Sequence, residues 1–316
     1  MDVSLVIPTY NRSEDLDKCF DSIIIQTVLP KEIIIVDDSE NDEIEKLTNF
    51  REKEFLDKKI ILKYIRNKKE KSMTIARNIG VENSSGDIIQ FLDSDVVLDK
   101  NYLKEILKIY KEKQNALGVQ GFITNGYHRS KMDSISKNFY VGHVEKNRCR
   151  VLPSTQTTYP FYIDKIISCE WLSGSNQSYK KEVFKEFKFD ENLKKYAYKE
   201  DVDFSYRIFK KYPKSLFMTP YAKLVHNVSV AGRLLGKKII NLKEINSVYF
   251  FFKNINQTLK NKMIFLWSRI GYLICDLAFN PNKRIIHFKY RIEAYILCIK
   301  HLEEIKRGYL EFFHKL

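Results

Sequence analysis

Apolar runs that stop at polar, mostly acidic tips recur along the first part of this chain. Val3-Ser4-Leu5-Val6-Ile7 is closed by Pro8 and the polar loop Thr9-Tyr10-Asn11-Arg12. Glu32-Ile33-Ile34-Ile35-Val36 ends in Asp37-Asp38, and Ile88-Ile89-Gln90-Phe91-Leu92, bounded by Gly86, ends in Asp93-Ser94-Asp95. Short apolar runs between turn residues suit strands of a covered sheet, although periodicity alone leaves a buried helix segment open. Between the runs the spacing changes to three and four. Leu16, Cys19, Phe20, Ile23 and Ile24 make one helix face behind Ser13 as N-cap, and Tyr102, Leu103, Ile106, Leu107 and Tyr110 make another behind Asp99 as cap. Charged or mixed helices are expected over about residues 42–56 and 71–83, and a further strand over 60–65. Strands alternating with helices predict an α/β fold with a largely parallel sheet. Ligands of such sheets bind beyond the carboxyl ends of the strands, which is where the acidic tips would lie. Two hard oxygen donors at Asp93 and Asp95 could hold Mg²⁺ or Mn²⁺, with a ligand's phosphates completing the shell.

The pattern loosens over residues 126–167, with Tyr127-His128-Arg129, a Lys/Ser-rich stretch and Ser154-Thr155-Gln156-Thr157-Thr158. Long irregular segments inside a compact domain are usually functional, and acceptor contacts are expected here. Regularity returns from Cys169 to Tyr179, with a helix expected near Lys181. Glu200-Asp201-Val202-Asp203 opens a segment with Phe204 and Ile208 four apart. Carboxylates in a first helical turn are favoured by the macrodipole, so taken alone they read as charge compensation. Leu224-Val225-His226 reads as a strand ending in a lone His, which taken alone is structural. Beyond Gly236, helices are expected from Leu242, Lys262 and Arg284.

A chain of 316 residues can form one large domain or a domain with an appendage, and 44% apolar residues exclude general disorder. The net charge of +14 is uneven: residues 231–316 hold 16 Lys and Arg against 6 Asp and Glu, leaving +4 for the first 230 residues. In that basic region Lys237-Lys238, Lys260, Lys262, Lys283-Arg284, Lys289 and Lys306-Arg307 alternate with Phe250-Phe251-Phe252, Phe265, Trp267 and Tyr272. The mixture fits helices lying in a membrane interface, or else a helical appendage with solvated cations. No compact basic motif points to nucleic acid. Residues 263–279, with Arg269 and Asp276 inside them, are too short and too charged for a membrane span. Five scattered cysteines without CxxC spacing suit reduced thiols, hence a cytoplasmic protein. The first strand begins almost at once, which leaves no room for a signal peptide.

Three acidic clusters remain to be joined. Val6-Ile7-Pro8-Thr9-Tyr10-Asn11-Arg12, Ile35-Val36-Asp37-Asp38-Ser39, Ala76-Arg77-Asn78-Ile79-Gly80, Phe91-Leu92-Asp93-Ser94-Asp95 and Glu200-Asp201 come in the order and spacing of one family. Over roughly residues 2–230 the chain resembles the inverting family 2 nucleotide-sugar glycosyltransferases. The resemblance implies a GT-A fold, Rossmann-like with a mostly parallel sheet flanked by helices, and a C-terminal helical basic extension. It implies a catalytic domain over 1–232 (donor half 1–125, acceptor and base half 126–232) followed by the basic aromatic region 233–316. It assigns Pro8, Thr9, Tyr10 and Arg12 to the base and ribose, and Asp38 to a pyrimidine N–H. Arg77 falls near the donor's phosphates or sugar, Asp93 and Ser94 at ribose or sugar, and Asp95 on Mg²⁺ or Mn²⁺ with His226 as a further ligand. Glu200-Asp201 matches the acidic pair that supplies the catalytic base, with Asp201 as the base. The implied partners are a nucleoside-diphosphate sugar and a glycan or lipid-linked acceptor, at the cytoplasmic face of a membrane and in polysaccharide assembly. A non-catalytic nucleotide- or glycan-binding subunit is the alternative, and the intact Asp95 and Glu200-Asp201 speak against it. A nucleotidyltransferase would want a Gly-rich phosphate loop, which Pro8-Thr9-Tyr10-Asn11-Arg12 is not.

Overall fold

The expected apolar runs fold as strands buried along their whole length. In the computed structural model, which describes residues 1–126, 136–194, 198–229, 234–279 and 284–314, β1 (Val3–Thr9), β2 (Glu32–Asp37) and β4 (Ile88–Phe91) are buried at every position. They lie parallel, with β3 (Ile61–Arg66) outside β2, in the order β3-β2-β1-β4. Both faces are covered, so the runs need no alternation. Helices α1 (Ser13–Ile24), α2 (Glu43–Asp57) and α3 (Met73–Glu82) connect them. α3 sits close on β1: a Cβ at Gly80 would lie 2.2 Å from Val6 Cγ1. That approach carries Arg77, on the same helix, to the ends of the strands.

Beyond β4 the sheet changes character. β5 (Val96–Leu98) is set apart from its sequence neighbours, α4 (Tyr102–Glu112) crosses over, and β6 (Gly118–Ile123) follows. β10 (Gln177–Lys180) inserts antiparallel between β4 and β6, a placement its polar Gln177 and Ser178 do not announce. The long β11 (Leu216–His226) runs parallel to β6 and antiparallel to β5 and to β9 (Ile167–Ser168). The result is a mixed sheet of nine strands among the described residues. α5 (Glu200–Lys211) packs its Phe204 against Phe189 and Tyr179, and Phe189 against Phe91, an aromatic cluster that joins the second half of the chain to β4.

Several boundaries differ from the sequence reading. Ser13 is the first residue of α1, with Arg12 at the cap position. Asp99 does not cap α4; its Oδ1 accepts the N–H of Asn101, and the helix starts at Tyr102. Near Lys181 only a single 3₁₀ turn forms (Lys181–Lys185), because the chain must then extend to place Phe187 and Phe189 in the core. Within 126–167, Tyr127-His128-Arg129 and the start of the Lys/Ser stretch lie outside the described residues. The rest is less irregular than its sequence: β7 (His143–Glu145) and β8 (Thr158–Pro160) pair in parallel.

Tertiary contacts divide the chain into two compact units, Met1–Gly126 with Ile163–Arg233, and Tyr127–Tyr162 with Leu234–Leu316. The second therefore groups the loosened segment with the C-terminal helices. These are α6 (Gly236–Asn254), α7 (Leu259–Phe279), α8 (Arg284–Lys300), α9 (Leu302–Lys306) and α10 (Glu311–His314); the first two begin earlier than Leu242 and Lys262. The core of this unit is partly ionic. Glu244 accepts from Arg269 Nη1 and Arg291 Nη1, both at 2.6 Å, while Asp276 accepts from Arg291 Nε and Nη2. Two cations face two carboxylates, so the buried charge is balanced. No helix among the described residues is long and apolar enough to cross a membrane.

At the start of β2, Glu32 anchors the sheet end opposite the acidic tips. It accepts from Ser4 Oγ and Ser85 N at 2.6 Å each and from Lys63 Nζ at 2.6 Å. Burial alone would raise this carboxyl, but the bonds from Lys63, Ser4 and Ser85 hold it down at about 2. Its contribution to stability is complete above the ordinary value near 4.5 and is lost as pH falls towards 2. Glu32→Gln should cost about 1–3 kcal/mol at neutral pH. Urea melts should show that gap closing below pH 4.5, and a pH-independent gap would place the stabilisation elsewhere.

Candidate active site

Strand ends gather the acidic groups. The chain leaves β4 at Leu92, whose N–H bonds to Val6 O at 3.1 Å, and Asp93 N bonds to Ser175 O at 3.2 Å, so the turn Asp93-Ser94-Asp95 is fixed on both sides. β5 follows at once. Its first residue, Val96, stands in register with His226, the last residue of β11, and this pairing delivers the imidazole from 131 positions away to the carboxylates. His226 Nε2 lies 3.0 Å from Asp95 Oδ1 and 3.9 Å from Asp93 Oδ2. Asn227 N bonds to Asp95 O and Ser229 N to Asp95 Oδ2, each at 2.8 Å. Arg12 Nη1 approaches the same Oδ2 at 3.3 Å.

The electrostatics of the pair are unequal. Burial would raise Asp95, but the His226 hydrogen bond and charge, Ser229 N–H and Arg12 hold it at about 2. Asp93 is pushed up by burial and by the Asp95 charge, against Arg77, His226 and Arg12. Asp93, Asp95 and His226 each offer one ligand atom, all within 4.8 Å of one another. Ser94 Oγ and Thr9 Oγ1 are buried without a hydrogen-bond partner among the described residues. Two carboxylates, one of them disfavoured as an anion, with an imidazole and orphaned oxygens beside them, fit a divalent cation of the Mg²⁺ or Mn²⁺ type.

Arg77 connects this group to the second acidic pair. Only 2% exposed, it donates Nη1 to Glu200 Oε1 at 2.9 Å and Nη2 to Gly174 O at 3.2 Å, and Nη2 stands 3.8 Å from Asp93 Oδ1. Its guanidinium also lies over the Phe189 ring at 5.4 Å. Neighbouring Asn78 bonds with both ends of its amide to the backbone of Phe189, pinning that loop to α3. Neither residue is on an exposed helix face. Lys199 takes a left-handed backbone (φ 73°) that turns the chain into α5, so Glu200 and Asp201 occupy its first turn. Burial and the Asp201 charge push Glu200 up to about 7, against Arg77. Asp201, half-buried, accepts Gly174 N–H on Oδ2 at 2.8 Å and its neighbour's Val202 N–H on Oδ1 at 2.7 Å.

The loop after β1 lies near the second tip. Pro8 and Thr9 end β1, opposite Val36 and Asp37 of β2, and Tyr10 sits under Lys71 Nζ at 5.3 Å. Asp38 accepts from Asn67 Nδ2 at 2.6 Å and from Ser72 N at 3.0 Å, yet burial still pushes it up to about 6. Asp37 is a structural partner: it accepts Tyr64 OH at 2.9 Å and Ser39 N at 2.8 Å. All the sequence-derived residues therefore stand at the carboxyl ends of β1, β2 and β4 or on segments that meet them. Arg77, Glu200, Asp93, Asp95, His226 and Arg12 form one connected set, while Asp38 and Tyr10 form a separate group around Lys71.

Residues 172–175 were missed as a functional element. Leu172 N bonds to Ser205 Oγ (3.1 Å), Ser173 N to Gln120 Oε1 (2.6 Å) and Gly174 N to Asp201, three anchors that hold the loop between Arg77 and the base candidate. A Cβ at Gly174 would meet Arg77 Nη2 at 2.7 Å and Asp201 at 3.3 Å. The available signal was a glycine inside Ser173-Gly174-Ser175-Asn176 in a chain with only 11 glycines.

Residues 4–187, more than half of the chain, match the model of the family described as Glycosyl transferase family 2. An uncharacterized glycosyltransferase of Rickettsia felis is 31% identical over 156 residues, which is 49% of this chain and 25% of that protein. A glucosyl-dolichyl phosphate glucuronosyltransferase of Haloferax volcanii is 25% identical over 190 residues, covering 59% of this chain and 55% of that one. The crystal structure of GalNAc-T7 with UDP, GalNAc and Mn²⁺ has the same fold, GT-A, with a TM-score of 0.59 at 16% identity over 89% of this chain and 58% of that chain. The chain thus spans about a quarter to a half of the length of these curated relatives.

The Gly174 geometry generates a direct test. Gly174→Ala should push Arg77 or Asp201 aside and destabilise the fold by about 1–3 kcal/mol, read from denaturant midpoints. An unchanged midpoint would mean that the loop yields freely and does not position either side chain.

Proposed function

The chain belongs to glycosyl transferase family 2, and on that footing we propose that it transfers a sugar, with inversion, from a nucleoside-diphosphate sugar to a hydroxyl of a glycan or lipid-linked acceptor. The observation that carries the reading is the convergence of Asp93, Asp95 and His226 with the Glu200-Asp201 pair, joined through buried Arg77. UDP, GalNAc and Mn²⁺ in the GalNAc-T7 structure support the donor class, and the dolichyl phosphate in the name of the Haloferax relative supports a lipid-linked acceptor.

The residues divide the work. Pro8, Thr9, Tyr10 and Arg12 line the nucleoside side, with Asp38 oriented by Asn67 and Ser72 towards a base N–H. Asp95 and His226, with Asp93, would hold Mg²⁺ or Mn²⁺, which when bound supplies Lewis acidity and a template for the diphosphate. Ser94, buried and without a hydrogen-bond partner among the described residues, is available to the donor. Arg77 is enclosed, so it acts on the donor by fixing Asp93 and Glu200. Asp201 receives the proton of the attacking acceptor hydroxyl, its carboxylate aimed by the Gly174 and Val202 N–H groups. Attack from the face opposite the nucleotide passes through an oxocarbenium-like transition state, as in glycoside hydrolysis. General base catalysis of this kind contributes about 10²–10⁴-fold. Membrane contact of the C-terminal region is a separate proposal, which the exposed apolar side of α7 supports.

Screening nucleotide sugars for release of nucleoside diphosphate, followed by NMR of the product's anomeric centre, tests the reaction. The product should have the configuration opposite to the donor's, and a retained configuration would contradict the assignment of Asp201. Asp201→Asn should lower kcat about 10²-fold or more while calorimetric binding of the nucleoside diphosphate changes little. Wild-type turnover in that variant would remove Asp201 from the base role. Asp95→Ala should abolish the metal dependence of that binding, and a persisting dependence would place the cation elsewhere.

A further inference from the structure

A helix packed on a folded unit normally turns its apolar stripe inward, and α7 does the reverse. Alongside Phe265, the polar Ser268, Arg269 and Asp276 are buried, while Leu259, Met263, Leu266, Ile270, Ile274 and Leu277 are 39–75% exposed. Their spacing of four, three, four, four and three residues keeps them on one side of the helix along its whole length. The rotation of the helix is fixed from within. Arg269 is held by Glu244, Asp276 by Arg291, and Arg269 O accepts Tyr295 OH at 2.8 Å, so the polar side cannot turn outward without breaking a buried ionic network. α8 repeats the reversal, with Arg291 buried and Ile296 and Ile299 exposed.

We propose that the exposed side of α7 is a docking surface for anionic lipid. At about 100° per residue, Lys260 and Lys262 flank the N-terminal end of the apolar stripe on its two sides, and both are exposed. The only carboxylate on α7 is Asp276, which is buried against Arg291, so no acidic group lies on the outward side. Trp267, 46% exposed, stacks on Phe139 and donates its indole N–H to Asn138 O at 3.0 Å, an amphipathic ring at the edge of the stripe. An apolar stripe with cations on both sides of its first turn and a Trp at its edge matches an interfacial helix that lies in the headgroup plane. A second copy docked through the same stripe would offer Lys260 and Lys262 no counter-charge, since the outward side of α7 carries no carboxylate, whereas anionic headgroups neutralise them. The inference stands on the C-terminal unit alone and does not depend on the catalytic reading.

The test uses the full chain and vesicles of phosphatidylcholine with or without phosphatidylglycerol, read by cosedimentation and by Trp emission. Trp267 should shift to shorter wavelength on binding, while Trp171, already buried, provides a constant background. Binding should require phosphatidylglycerol, weaken about 10-fold or more in Lys260→Ala/Lys262→Ala, and vanish in Leu266→Glu/Ile270→Glu. Far-UV circular dichroism and the thermal response to nucleoside diphosphates should match wild type in both variants, which separates failure here from failure of the donor site. Equal binding of wild type and Leu266→Glu/Ile270→Glu would overturn the proposal. So would the absence of vesicle binding, or a concentration-dependent dimer lost in Leu266→Glu/Ile270→Glu without any lipid binding.

Discussion

One guanidinium, withdrawn from water at the rim of the sheet, holds the site together. Arg77 reaches from α3 to Glu200 of α5, to the carbonyl of Gly174 and towards Asp93. A cation at this depth requires carboxylates around it, and removing one partner of such a buried pair costs about 3–5 kcal/mol. The same geometry keeps the two acidic clusters from drifting apart, although they are separated by over a hundred residues in sequence. The close approach of α3 to β1 at Gly80 and the Asn78 bonds to Phe189 exist in support of that one placement. The placement of the acidic clusters thus depends on side chains that are themselves buried, Arg77 and Asn78.

The first half of the fold was legible because its strands are buried on both faces. Ile33 to Val36 is then a continuous apolar run and Ile88 to Leu92 one broken only by Gln90, and a carboxylate at the end of each marks where the sheet meets solvent. The second half was less legible for a matching reason. Gln177 and Ser178 of β10 are central in the sheet but polar, Gln177 Oε1 accepting from Tyr179 OH and Ser178 Oγ donating to Val119 O, so no hydrophobic pattern announces the strand. Helix starts were misplaced by one and two residues where Ser13 and Asp99 offered plausible caps that the backbone did not use.

The site followed the same division. Asp93 and Asp95 sit where a strand end predicts them, and Glu200 and Asp201 where a first helical turn predicts them. Their union is a product of register and burial: His226 arrives through its pairing with Val96, and the loop at Gly174 through bonds to Gln120 and Ser205. Neither has a periodicity to read. In the C-terminal region, composition gave the excess of cations but could not divide them. Arg269 and Arg291 are internal and paired, while Lys260 and Lys262 face outward, and only the packing of α7 tells them apart.

The central claim is that the rim of this sheet binds a nucleoside diphosphate with a divalent cation. The most direct measurement is the melting temperature of the full chain with UDP, GDP, dTDP or CDP, each with and without Mn²⁺. A ligand at about 100 times its Kd adds about 2.7 kcal/mol of stability, an effect well within reach of the method. The account predicts a rise for one base class only when the cation is present. No rise with any diphosphate in folded protein, or a rise indifferent to Mn²⁺, would contradict it.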